Sequence, residues 1–190
     1  KNATNIRKPT IYTYSLLIDL WAKSPSNDNG ERAQKILAKL EKENQANLVV
    51  YNTVLSAWSI STHTEAAKYA ESLLRSMRPN PDVVSFSCVI KALSEQCKRS
   101  LLQQDLNGRN SGGKRVPSQE AIDDAWEAAQ RANSIYHEMQ TKPHGLTADA
   151  RCLFAVLDAF SSCAMFHDDA ASNAQTLLDH ALRNGIKTNE

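Results

Sequence analysis

The stretch Val49-Val50-Tyr51-Asn52-Thr53-Val54-Leu55-Ser56-Ala57-Trp58 decides the fold. Its large apolar residues Tyr51, Val54, Leu55 and Trp58 have the spacing that puts side chains on one face of an α-helix. The same spacing recurs as Tyr14, Leu17, Ile18, Trp21, as Phe86, Val89, Ile90, Leu93, and as Leu153, Val156, Leu157, Phe160. A second run starting on alanine follows each: Ala33, Ile36, Leu37, Leu40; Ala70, Leu73, Leu74, Met77; Ala132, Ile135, Tyr136, Met139; Ala174, Leu177, Leu178, Ala181. Each copy reads as two amphipathic helices facing one another. Tyr51 follows Tyr14 by 37 residues, Phe86 follows Tyr51 by 35, and Leu153 follows Phe86 by 67. The long gap holds one repeat and a polar insertion near residues 98–120 that lacks apolar periodicity. A helix–turn–helix period in the mid-thirties predicts an all-α chain, an α-solenoid of about four stacked hairpins.

The pattern predicts first helices over 11–23, 48–60, 83–97 and 150–164, and second helices over 30–43, 65–77, 120–140 and 170–183. Turn formers from Ser24 to Gly30 separate the helices of copy one, and Ser61 to Thr64 those of copy two. Ser118, after Pro117, is placed to cap the second helix of copy three. Asn47, Asp82 and Asp149 each stand just before a first helix. A short polar side chain there can cap the helix or face a ligand.

Composition narrows the function. With 22 basic and 21 acidic residues the net charge is +1, which argues against a protein held to nucleic acid mainly by phosphate neutralisation. No apolar run approaches the ~18 residues of a membrane span, and the mean hydropathy is −0.46. Cys88, Cys97, Cys152 and Cys163 form no Cys-x-x-Cys pair and suit neither a disulfide framework nor a zinc site.

Val49 to Leu55, Val83-Val84-Ser85-Phe86-Ser87-Cys88-Val89-Ile90 and Ile11-Tyr12-Thr13-Tyr14-Ser15-Leu16-Leu17-Ile18 resemble the first helices of the pentatricopeptide repeat family of RNA-binding proteins. So do the tails Lys8-Pro9-Thr10, Asn80-Pro81-Asp82 and Gly185-Ile186-Lys187-Thr188-Asn189, and the alanine-to-methionine spacing of the second helices. The resemblance implies a right-handed α-solenoid divided as 1–10 (tail of a preceding repeat), 11–47, 48–82, 83–149 with the flexible insertion, and a degenerate 150–190. Tails without polar caps make the chain read as a piece of a longer array.

In that family each repeat reads one base of single-stranded RNA through two side chains. Carried over by motif position, the readers are Ser15 with Asn47, Asn52 with Asp82, and Ser87 with Asp149. The family's code then implies adenine, uracil and guanine in turn, with Val49 and Val84 sandwiching the bases. Chemistry agrees: a carboxylate only accepts hydrogen bonds and so selects bases with an N–H on the Watson–Crick edge. Tyr12 and Arg151 replace the usual small apolar clamp, and Phe154 stands where copy four needs a polar reader. That copy is expected to pack or stack, and Asn189 is not counted as a reader. The resemblance further implies a mitochondrial or plastid setting and a role in RNA processing, stabilisation or translation, with organellar transcripts or transfer RNA as targets and protein partners beside them.

A rival class is the tetratricopeptide-like scaffold that binds peptides, whose period is close to this one. That family wants a small residue where this chain has Ile18, Leu55, Ile90 and Leu157. A third reading is an interaction segment whose RNA readers have decayed. Gly108-Arg109-Asn110-Ser111-Gly112-Gly113-Lys114 has the glycine and lysine spacing of a phosphate loop, but Arg115 takes the magnesium-binding position and no strand precedes it. No catalytic constellation, metal site, cofactor, bound nucleotide or membrane association is expected. Asp123-Asp124 and Asp168-Asp169 suit helix starts.

Overall fold

The computed structural model describes residues 9–24, 28–103, 117–141 and 143–186. They form eight helices and no strand: α1 (Ile11–Ala22), α2 (Asn29–Lys42), α3 (Leu48–Ile60), α4 (Ala66–Ser76), α5 (Val83–Gln103), α6 (Gln119–Gln140), α7 (Ala150–Cys163) and α8 (Asp169–Arg183). The chain is all-α. The odd-numbered helices form one row, α1 on α3, α3 on α5 and α5 on α7. Each of α2, α4 and α6 packs on its own partner and on the first helix of the next pair, while α8 packs on α7. One core therefore runs through all four pairs, centred on Ile18, Tyr51, Leu55, Trp58, Phe86, Ile90, Tyr136 and Phe160.

The repeating large residues build this core, as their spacing requires. Tyr51 and Phe86 are fully buried. Tyr14, in the first pair, is half-buried, and its hydroxyl accepts from Lys39 Nζ at 2.8 Å. All four cysteines are free, three of them buried. Burial pushes the Cys88 thiol up to about 11, so it stays protonated and behaves as a small apolar residue.

Two sequence expectations change. The cluster from Ser24 to Gly30 is not all turn, because Asn29 and Gly30 belong to α2. Asn29 is buried and its Nδ2 donates to Ser24 O at 2.8 Å and Ala22 O at 3.3 Å, closing the end of α1. Gly30 is needed for space: a Cβ there would lie 2.2 Å from the Trp58 ring. The insertion also begins later than expected, since α5 continues through Lys98 to Gln103. Tertiary contacts hold this extension, with Arg99 Nη1 donating to Ser61 O at 2.9 Å and His63 O at 2.8 Å, and Leu101 packing on the core. The glycine-rich segment 108–114, Arg115, Lys8 and Asn189 lie outside the described residues.

Candidate nucleic-acid interface

The four first helices share a register, and the expected base-sandwiching and base-reading residues occupy separate rows of it. The second residues are Tyr12, Val49, Val84 and Arg151, all exposed. Val49 is 61% and Val84 38% exposed although both are β-branched and apolar. The fifth residues are Ser15, Asn52, Ser87 and Phe154. Ser15, Asn52 and Ser87 are half-buried, whereas Phe154 is 51% exposed.

The residue before each first helix caps it. Thr10 accepts from the Thr13 amide at 3.4 Å, Asn47 from Val50 at 3.1 Å, Asp82 from Ser85 at 2.9 Å and Asp149 from Cys152 at 3.0 Å. Each side chain satisfies an amide that the helix itself leaves unpaired. Capping alone thus accounts for a polar residue at these four places. It does not account for what Asp82 does next.

Asn52 Nδ2 donates to Asp82 Oδ1 at 3.1 Å and to Oδ2 at 3.2 Å, joining α3 to the start of α5. The Ser85 hydroxyl donates to Asn52 Oδ1 at 2.6 Å, and the Asp82 amide donates back to Ser85 Oγ at 3.2 Å. Asp82 and Ser85 form a reciprocal capping box that also grips Asn52. Burial alone would raise the Asp82 carboxyl, but hydrogen bonds from Ser85 and Asn52 outweigh it and hold the group below the usual carboxylate range. It is a carboxylate at neutral pH, an acceptor only, and Oδ2 keeps lone pairs for a donor on a ligand.

Among the described residues the other two pairs are not joined directly. Asp149 is drawn aside to Arg151, whose Nη2 lies 2.7 Å from its Oδ2. Ser87 instead meets the Cys152 thiol, which burial and the Asp149 charge push up to about 12. Ser15 Oγ is shielded from solvent with no hydrogen-bond partner, and Asn47 is exposed. Ser85 reaches back from α5 and donates to Asn52, whereas Val50, at the same place in α3, has nothing to donate to Ser15. Sequence reasoning missed Ser85; the Asp82-x-x-Ser85 spacing of a capping box was the available signal.

Charges on this side are largely neutralised. Lys23 pairs with Asp19 at 2.6 Å, and Lys98 with Asp158 at 2.6 Å and Glu95 at 3.2 Å. Lys91 is exposed and has no ion-pair partner among the described residues. The surface suits hydrogen bonding and apolar contact better than phosphate binding. No group of residues fit to hold a metal ion occurs among the described residues, and no described helix is long and apolar enough to cross a membrane. The fold and site define an all-α protein of stacked helix pairs, with a polar network of Asn52, Asp82 and Ser85 linking the second pair to the third. No protein-family model matches the chain, and no curated protein matches it.

Proposed function

We propose that this chain is a right-handed α-solenoid of pentatricopeptide-like repeats that binds single-stranded RNA, reading a base at each of its first three copies. The observation that carries the proposal is the Asn52–Asp82 contact. Two residues singled out by register, 30 positions apart, meet through paired hydrogen bonds. Val49, one turn before Asn52, and Val84, two residues after Asp82, offer exposed apolar surface on the two adjoining helices. A base between those valines would present its Watson–Crick edge to a carboxylate that accepts and an amide that can donate, which suits uracil. Ser15 with Asn47 and Ser87 with Asp149 occupy the same register and are proposed readers of the flanking bases. Phe154 offers a face for stacking and no hydrogen bond, so the fourth copy does not discriminate. An organellar transcript or a transfer RNA is the proposed target, and the chain is proposed to bind rather than to catalyse.

The neutralised charges favour a second reading, a scaffold for a protein partner, because apolar patches among paired charges also suit a peptide. Selection from randomised RNA separates the two. The parent should enrich a sequence with uracil at one position, and Asn52→Thr should move that position toward guanine. Absence of enrichment, or an unchanged preference in Asn52→Thr, overturns base reading.

A further inference from the structure

We propose that Arg151 sets the selectivity of the third copy, because it holds Asp149 in the free protein and a base must compete with its guanidinium for that carboxylate. The inference rests on the base reading proposed above and deepens it at one position.

Asp82 and Asp149 stand at the same place, one residue before a first helix. Both cap that helix through Oδ1, Asp82 accepting from the Ser85 amide at 2.9 Å and Asp149 from the Cys152 amide at 3.0 Å. Beyond the cap their partners differ. Asp82 is met by a neutral donor, the Asn52 amide, at 3.1 Å and 3.2 Å. Asp149 is met by a cation: Arg151 Nε donates to Oδ2 at 2.8 Å, and Nη2 lies 2.7 Å from the same oxygen. The oxygen that capping leaves over is the one that the guanidinium takes. Burial alone would raise the Asp149 carboxyl, but hydrogen bonds from the Cys152 amide and from Arg151 outweigh it and hold the group below the usual carboxylate range.

Arg151 is the second residue of α7, the place of Val49 in α3 and Val84 in α5. Its side chain is 69% exposed, so the ion pair lies where a base seated beside Val84 would approach Asp149. A hydrogen bond from a guanidinium to a carboxylate is stronger than one from a neutral base N–H. An exposed pair nevertheless contributes little to stability, so the base is hindered and not excluded. The third copy should therefore prefer guanine roughly two- to fivefold less than the same copy with its carboxylate free.

Selection from randomised RNA with the parent, Arg151→Val and Arg151→Ala tests this. Valine restores the residue type of Val49 and Val84, whereas alanine frees Asp149 without adding that apolar surface. Both should raise the preference for guanine at one position beside the uracil, by roughly two- to fivefold, and leave the uracil as it was. Titration of the Asp149 carboxyl by nuclear magnetic resonance, without RNA, should show it rising in both variants, because a hydrogen bond that favours the charged form is gone. An Asp149 carboxyl that does not move, or a guanine preference that stays level or falls, overturns the role of Arg151. So does a gain with valine that alanine does not share, since it assigns the effect to apolar contact. Each of those results leaves uracil selection standing, whereas a parent that enriches no sequence overturns base reading itself and this inference with it.

Discussion

The Ser85 hydroxyl donates to Asn52 Oδ1 at 2.6 Å, reaching from α5 to α3. Because Nδ2 of the same amide faces Asp82, both ends of the Asn52 side chain are assigned. Rotation about its last bond would turn Oδ1 toward the Asp82 carboxylate and lose the bonds there, so the side chain is held in one orientation. What stays open toward a ligand is the remaining lone pairs of Asp82 and the valine surfaces on either side. An invisible neighbour of the reader pair thus decides which edge the pair shows.

Ser85→Ala tests that arrangement. The residue is fully buried, and its loss leaves Asn52 Oδ1 and the Asp82 amide without this partner. Leaving buried polar groups unpaired costs about 1–3 kcal/mol, which urea unfolding should register. A double-mutant cycle with Asn52→Ala should show coupling, on the order of 1 kcal/mol. Additive losses would mean that the two side chains act separately.

Asp82 gives the network a pH dependence of fixed sign. Its folded-state carboxyl sits below the ordinary value, set by Ser85 and Asn52 against the effect of burial. A depressed carboxyl contributes stability that is complete above the unfolded value, about 3.9, and is lost as pH falls through the folded one. Asp82→Asn should therefore be less stable than the parent at neutral pH, with the gap closing below about pH 4. Asp149 and Glu138 are depressed as well, so the parent itself weakens in acid. The difference between the two proteins isolates Asp82.

How much was legible follows from what each feature depends on. The helix pairs depend on apolar spacing, which the sequence displays, and seven of the eight helices begin and end within one residue of the expected bounds. The end of α5 depends instead on Arg99 finding two carbonyls at the α3–α4 turn, a contact no local pattern announces. The Asn52–Asp82 pair was legible because both residues occupy repeat positions. The unpartnered Ser15 hydroxyl was not, because a buried polar atom without a partner is a tertiary outcome that no local pattern announces.

Gly30→Ala should destabilise the chain although alanine is the better helix former. In an open helix the change would gain about 1 kcal/mol. Here the added Cβ would meet the Trp58 ring at 2.2 Å, and that ring is fixed by stacking on Tyr69 at 4.8 Å and by an indole N–H bond to Gln34 Oε1 at 3.1 Å. Overpacking of this kind costs about 1–3 kcal/mol. Thermal unfolding should show a lower midpoint, and a higher one would mean that the indole moves freely.

Arg99→Met separates the charge of Arg99 from its packing. The arginine stem lies half-buried along α5, and methionine keeps much of that apolar length. What it removes is the guanidinium, whose Nη1 bonds Ser61 O and His63 O and whose Nε bonds Glu95 O at 3.1 Å. Burial lowers the guanidinium from its ordinary range, and because an arginine side chain stays charged in proteins it remains a donor. Hydrogen bonds to a charged group are each worth about 1.5–3 kcal/mol, so a loss on the order of 2 kcal/mol is expected after water reaches the freed carbonyls. Hydrogen exchange should locate it, with amides of residues 98–103 and of the α3–α4 turn losing protection while those around Ile18 keep theirs. Uniform loss along the chain would mean that the α5 extension is part of the global core and not a separately anchored element.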